Sequence, residues 1–286
     1  MTILVTGATG NVGRNVVDQL VRSGTRVRAI TRDPARANLP SGAEVVQADL
    51  GKLDTLKAAL EGVERMYLFP LAYLTSDVQS FADVQVNTEV PELARQAGVR
   101  RIVLLSSNAV LYGADEHHQQ AEAAVEASGL EYTHLRPGEF AMNKALAWGE
   151  SIRAEGVVRS GFPETRGVPI HEADVAAVAA AALQEDGYVG KGLELTGPES
   201  LTEREQVREI ALGLGREIRF EELTREQARE NWIAQGVPPE VVDEMMSHSE
   251  RFATQPPKVH DTVRTVTGRP ARTLRQWAAD HADLFR

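Results

Sequence analysis

The sequence predicts an α/β protein, a doubly wound parallel sheet with a small C-terminal α+β lobe. Three observations predict it. An apolar run, Ile3-Leu4-Val5, leads straight into the glycine-spaced turn Thr6-Gly7-Ala8-Thr9-Gly10-Asn11-Val12-Gly13. Val12, Val16, Val17, Leu20 and Val21 then recur at helical spacing. Further short apolar runs alternate with helical stretches through the first half of the chain, the pattern of βαβ units. Strand, glycine turn and helix together open a Rossmann-like unit.

Each glycine of the turn has a physical task. Gly7 allows a turn that is closed to bulky residues. Gly10 lets the backbone approach a pyrophosphate, and Gly13 lets the helix pack on the strand. The first N–H groups of a helix lack intrahelical partners and carry the positive end of its dipole, so a pyrophosphate is the natural occupant. Thr9, Asn11 and Val12 belong to the same cradle.

Composition bounds the rest. A chain of 286 residues with 42% hydrophobic content supports one large domain with an appendage. No apolar run is long enough for a membrane span, and the immediate entry into a strand argues against a signal peptide. With no cysteine, disulfides, thiolate metal sites and cysteine nucleophiles are excluded. A net charge of −10 argues against nucleic acid as a partner. The expectation is a cytoplasmic protein, monomer or homodimer, acting on a small molecule.

The second strand, Thr25 to Thr31, ends in Arg32-Asp33-Pro34. NAD sites place an acidic residue at this tip to hold the ribose 2′-hydroxyl. Here Arg32 takes the place, with Arg36 beyond, and a guanidinium fork matches a 2′-phosphate. The expected cofactor is therefore NADP(H) in preference to NAD(H). The competing readings are a solvated surface arginine and partial restoration of NAD binding by Asp33. A third strand, Ala43 to Ala48, leads to Asp49-Leu50, where Asp49 is also a candidate N-cap for a helix over Lys52 to Glu61. The buried strand Arg65 to Leu71 should present Phe69, Pro70 and Leu71 over the cofactor, since ligands sit at the carboxyl ends of parallel strands. A helix is expected from about Asp77 to Gln96, kinked at Pro91. The fifth strand, Arg101 to Leu105, ends in Ser106-Ser107-Asn108, followed by Tyr112-Gly113. A helix over Asp115 to Ser128 precedes the run Leu130 to Phe140.

The glycine spacing Gly-x-x-Gly-x-x-Gly, the Ser106-Ser107 to Tyr112-Gly113 segment and Tyr132-Thr133-His134-Leu135-Arg136-Pro137-Gly138-Glu139-Phe140 resemble the NmrA-like family of atypical short-chain dehydrogenases. Val168 to Val175 resembles a further family segment, and the likeness extends over nearly the whole chain. The resemblance implies NAD(P)H binding, with Asp49-Leu50 beside the adenine and Pro137-Gly138 facing the nicotinamide ribose. Phe140 and Asn143 then open a helix directed at the pocket.

The standard Tyr-x-x-x-Lys pair of short-chain dehydrogenases is absent. Tyr67, Tyr73, Tyr112, Tyr132 and Tyr188 are followed four residues on by Leu71, Asp77, Glu116, Arg136 and Gly192. Counted by the family pattern, the lysine position falls on His118, which becomes the candidate proton donor or ribose contact. Its alternative is an exposed helix histidine. Ser107, or Asn108, is the candidate hydrogen-bond donor to a substrate carbonyl. Tyr112, Asn143, Trp148 and His171 are candidate substrate contacts, and Phe140, Trp148, Phe162 and Trp232 a candidate wall for a flat apolar or aromatic substrate. Lys144 reads as a solvated charge and Asp174 as an N-cap. No metal site is expected, because adjacent His117 and His118 diverge by about 100° on a helix.

The expected division is a nucleotide-binding domain at 1–155 and a substrate-side lobe at 156–286, with 165–197 returning to the first. The function these features predict is NADPH-dependent reduction of a small carbonyl, enone or quinone. The alternatives are a redox-sensing regulator without turnover and a non-redox enzyme on the same fold.

Overall fold

The computed structural model describes residues 1–71, 87–234 and 236–286. In chain order the elements begin β1 (Thr2–Val5), α1 (Asn11–Arg22), β2 (Arg26–Thr31), β3 (Ala43–Gln47), α2 (Leu53–Ala59) and β4 (Arg65–Leu68). They continue with α3 (Val90–Gln96), β5 (Arg101–Leu105), α4 (Glu116–Ala127), β6 (Glu131–Pro137), α5 (Met142–Glu155), β7 (Val157–Ser160), β8 (Arg166–Gly167) and α6 (Glu172–Gln184). The remainder comprises β9 (Lys191–Leu195), β10 (Leu201–Thr202), α7 (Glu203–Leu214), β11 (Arg219–Glu222), α8 (Arg225–Ala234), α9 (Pro239–Thr254), α10 (Thr262–Thr267) and α11 (Leu274–Asp280).

The chain forms two compact units. The first comprises Met1–Gly138, Glu172–Leu195 and Thr262–Arg269; the second comprises Glu139–His171, Thr196–Asp261 and Pro270–Arg286. The passage between them falls at 138/139 rather than 155, so α5 belongs to the second unit. The segment returning to the first unit is 172–195, and α10 returns as well.

The first unit holds a seven-stranded sheet in the order β3-β2-β1-β4-β5-β6-β9. Every pairing in it is parallel. Ile102, Val103 and Leu104 of β5 are inaccessible on both faces, as parallel strands covered by helices must be. One face packs Leu4, Met66, Ile102 and Leu104 against Leu56, Leu60, Ala94 and Val125 of α2, α3 and α4. On α6, Ala176, Ala179 and Ala182 are all buried, and their small side chains let α6 pack closely on α1. At the amino edge of the sheet, Arg101 is 2% exposed and donates to the Ala182 carbonyl of α6 and to the Glu185 carbonyl just past its end. It also pairs with Glu131 and Asp186, each at 2.7 Å. Arg65 adds a bond to the Leu183 carbonyl at 2.6 Å. Two cations therefore satisfy the carboxyl end of one helix, where its dipole is negative.

The strand order reverses between β1 and β4. That switch point, at the carboxyl ends of the strands, is where open parallel sheets bind ligands.

In the second unit, β7 pairs with β11 in parallel and β8 with β10 in antiparallel fashion. Trp148, Ile152, Val158, Ile210, Trp277 and Phe285 form one core cluster. Phe162, Ala228, Val242 and Met246 form another. Helix α7 opens on a capping box between Thr202 and Glu205.

Three local expectations are corrected. Pro91 lies in the first turn of α3, where its missing N–H costs nothing and no kink arises; residues 77–86 of the expected helix lie outside the described residues. Asp174 sits within the first turn of α6, which starts two residues earlier, and is not its cap. Lys52, not Asp49, occupies the N-cap position of α2, while the Asp49 carboxylate accepts from the Gly51 N–H at 2.9 Å. Among the described residues no helix is long and apolar enough to cross a membrane.

Candidate cofactor site

The glycine turn has the geometry its spacing predicts. Gly7 adopts φ 57°, the left-handed region that favours glycine, and its carbonyl accepts from the Gly10 N–H at 2.9 Å. A Cβ on Gly13 would lie 2.2 Å from that same carbonyl oxygen. Only a residue without a side chain lets α1 start this close to the turn. Gly10 is the N-cap of α1 and supplies no side-chain cap to the first turn. The outward N–H groups of Asn11, Val12 and Gly13 thus suit an anion.

Beside this turn lies a cleft of about 350 Å³. The glycine turn contributes Gly7 and Thr9, the end of β2 contributes Thr31, Arg32 and Asp33, and the end of β3 contributes Asp49 and Leu50. Arg36 and Arg14 complete it. Asp33 caps a one-turn 3-10 helix over Pro34–Arg36, its carboxylate accepting from the Ala35 N–H at 3.1 Å. Arg14 is the residue that sequence reasoning passed over. It stands on α1 one position after Gly13, and its partners are the backbone carbonyls of Thr9 and, more than twenty residues away, of Ala37 and Asn38. A residue-type pattern carries no trace of such partners.

Further along the carboxyl edge, Thr6 joins β1 to β4, its hydroxyl accepting from the Phe69 N–H at 2.8 Å. Pro70 is buried and Leu71 half-buried beside it. At the end of β5, Ser106 is buried and donates inward to Glu122 of α4 at 2.6 Å. Arg136 of β6 grips the same carboxylate at 2.9 and 2.7 Å. Burial pushes the Glu122 carboxyl up, but the bonds from Arg136 and Ser106 outweigh it and hold the group below the usual carboxylate range. The Ser106 hydroxyl is thereby committed to this network.

Ser107 caps the 3-10 helix Asn108–Tyr112, its hydroxyl oxygen accepting from the Ala109 N–H at 3.1 Å. Its own O–H remains a donor. The Asn108 amide nitrogen would lie 3.3 Å from a Cβ on Gly138, so a side chain there would crowd it. The Gly138 N–H in turn binds the Leu195 carbonyl at 3.0 Å. Pro137-Gly138 and Ser107-Asn108 therefore come together at the ends of β6 and β5. Tyr112 is 77% exposed. His118 is not a free surface histidine. Its Nδ1 lies 2.7 Å from an Asp115 carboxylate oxygen, and its ring is largely buried. With Nδ1 engaged by Asp115, Nε2 is the ring nitrogen on the side away from that carboxylate.

The other predicted contacts lie in the second unit. Phe140 bridges to Ile170, and Asn143 is exposed on the first turn of α5. Trp148 is a core residue, whereas Phe162 stacks on Trp232 at 5.6 Å in the other cluster. The expected single aromatic wall is thus divided between two cores. His171 is buried, 3.4 Å from an Asp280 carboxylate oxygen and against the His281 ring. Lys144 overturns its reading as a solvated charge. It is 8% exposed, pairs with Glu139 and lies 4.9 Å from the Trp148 ring centre. Near it, burial pushes the Glu203 carboxyl up against the lowering influence of Ser160 and Lys144.

A parallel sheet with a glycine cradle, an uncapped helix start and a cleft at the carboxyl ends of β1, β2 and β3 defines a dinucleotide-binding protein. The chain belongs to the NAD(P)H-binding family, whose model matches residues 7–186. It is 39% identical over 290 residues to a (4-alkanoyl-5-oxo-2,5-dihydrofuran-3-yl)methyl phosphate reductase of Streptomyces griseus, covering 99% of each chain. It resembles the NADPH-dependent quinone oxidoreductase of Escherichia coli, solved with NADPH, at TM-score 0.78 and 27% identity over the full length of both chains. NmrA, a negative transcriptional regulator solved with NADP, shares the fold at TM-score 0.70 and 16% identity, covering 98% of this chain and 94% of that one.

Proposed function

We propose that this protein is an NADPH-dependent oxidoreductase that reduces a small apolar or aromatic carbonyl, enone or quinone. The observation that carries the reading is the cleft beside the glycine turn, where Arg14, Arg32 and Arg36 surround the place a 2′-phosphate would take. The two reductases reported above support the reaction class.

The residues fit the cofactor. The first-turn N–H groups of α1 would hold the pyrophosphate, Asp49 and Leu50 would flank the adenine, and Pro137-Gly138 would lie along the nicotinamide ribose. When bound, the nicotinamide supplies a hydride. The substrate gains that hydride and one proton, a two-electron reduction. His118 delivers the proton from Nε2 while Asp115 fixes its ring. Ser107 donates its O–H to the substrate oxygen that gains charge. Quinones and enones suit a site without a tyrosine–lysine pair, because their reduced forms are stabilised by conjugation and demand less of the acid. We place the protein in the cytoplasm, as monomer or homodimer.

The test is a parallel fluorescence titration with NADPH and NADH, followed by turnover with a panel of quinones and enones. Tighter NADPH binding and multiple turnover with one acceptor class support the reading. Equal affinity for the two cofactors defeats the 2′-phosphate assignment, and binding without turnover makes the protein a regulator.

A further inference from the structure

We propose that Arg14 is the positioning residue that sets the preference for a 2′-phosphorylated dinucleotide, by clamping the loop that carries Arg36 against the glycine turn. The inference rests on the cofactor reading above and adds the residue that gives the phosphate pocket its shape.

Three observations carry it. The first is place. Arg14 stands in the opening turns of α1 and lines the cleft with Arg32 and Arg36. A cation there works against the helix dipole, so its position is unfavourable to the helix alone and favourable to an anion beside it.

The second is the pattern of bonds. Its guanidinium donates to the Asn38 carbonyl at 2.7 Å and to the Ala37 and Thr9 carbonyls at 3.4 Å. Thr9 belongs to the glycine turn, while Ala37 and Asn38 directly follow Arg36. One planar fork therefore ties both walls of the cleft together. It also masks carbonyl oxygens that would otherwise present negative dipoles to a phosphate.

The third is strain. Asn38 has φ 43°, and among the described residues it is the non-glycine residue in the left-handed region. Asparagine tolerates this conformation better than most residues, yet it remains uncommon. The 2.7 Å bond to its carbonyl holds the loop in that turn. Charge alone does not reproduce this function. A lysine carries the same charge on a single point and cannot bridge carbonyls on two backbone segments in one plane.

The experiment measures dissociation constants for NADPH and NADH with the full chain, comparing wild type, Arg14→Gln and Arg14→Lys, with thermal melts of each without cofactor. Arg14→Gln should weaken NADPH binding at least tenfold and NADH binding less than threefold. Arg14→Lys should fall within threefold of Arg14→Gln for NADPH, because the charge returns but the clamp does not. If Arg14→Gln fails to fold, the lysine variant carries the test alone. Wild-type NADPH preference in Arg14→Lys would show a direct charge contact and overturn the clamp. Equal losses for both cofactors would show a general scaffold role and overturn it too. Equal binding of both cofactors by the wild type would instead defeat the cofactor reading itself, so the two failures are distinguishable.

Discussion

The two edges of the parallel sheet use the same side chain in opposite ways. At the amino edge, Arg101 is enclosed and its donors are spent on the end of α6, Glu131 and Asp186. At the carboxyl edge, Arg14, Arg32 and Arg36 line an open cleft. The difference teaches how its setting limits what a guanidinium can do. An enclosed guanidinium must find all its acceptors within the protein, because leaving them unpaired is costly. One that lines a cleft can bond backbone, as Arg14 does to Thr9, Ala37 and Asn38, without being enclosed.

That comparison is broken or sharpened by substitution. Arg101→Met should have the largest effect on stability, about 3 kcal/mol in urea unfolding, because buried carbonyls lose their donor. Its ratio of NADPH to NADH affinity should stay at the wild-type value; a changed ratio would erase the distinction between the edges. Glu122→Gln should cost about 2 kcal/mol at neutral pH, since it weakens charged bonds to Arg136 and Ser106. The Glu122 carboxyl lies below its ordinary value in the folded chain. Its contribution is therefore fully present above the unfolded carboxylate pKa and is lost as pH falls through the folded value. Urea unfolding of wild type and Glu122→Gln should converge in acid, and a difference independent of pH would remove charge from the explanation.

Arg32→Ala should weaken NADPH binding about tenfold, roughly 1.4 kcal/mol, with an unchanged melting temperature. Thr202→Ala, in the second unit, is the smallest: loss of the α7 capping box should cost about 1 kcal/mol, and cofactor titration should show no change.

Most of the nucleotide-binding fold was legible because its signals are local. The glycine spacing, the apolar strands and the Thr202–Glu205 box are each contained within a few residues. What escaped depends on distant partners. Lys144 looks like a helix-surface charge until Glu139 and the Trp148 ring are brought beneath it. Ser106 looks like an exposed strand end until Glu122 and Arg136 close over its hydroxyl. Arg14 gave no signal at all, since backbone carbonyls have no residue identity to read. Trp148 and Phe162 were grouped by type, but they pack into different cores.

The glycine at position 13 also governs how the molecule can change. Its missing Cβ is demanded by a carbonyl 2.2 Å away, so any larger residue there would push the turn off the helix and close that site to variation. Its neighbour faces backbone that accepts many donors. Adjacent positions on one helix therefore differ in what they tolerate: position 13 has room for glycine alone, whereas position 14 carries a long side chain whose bonds run to backbone.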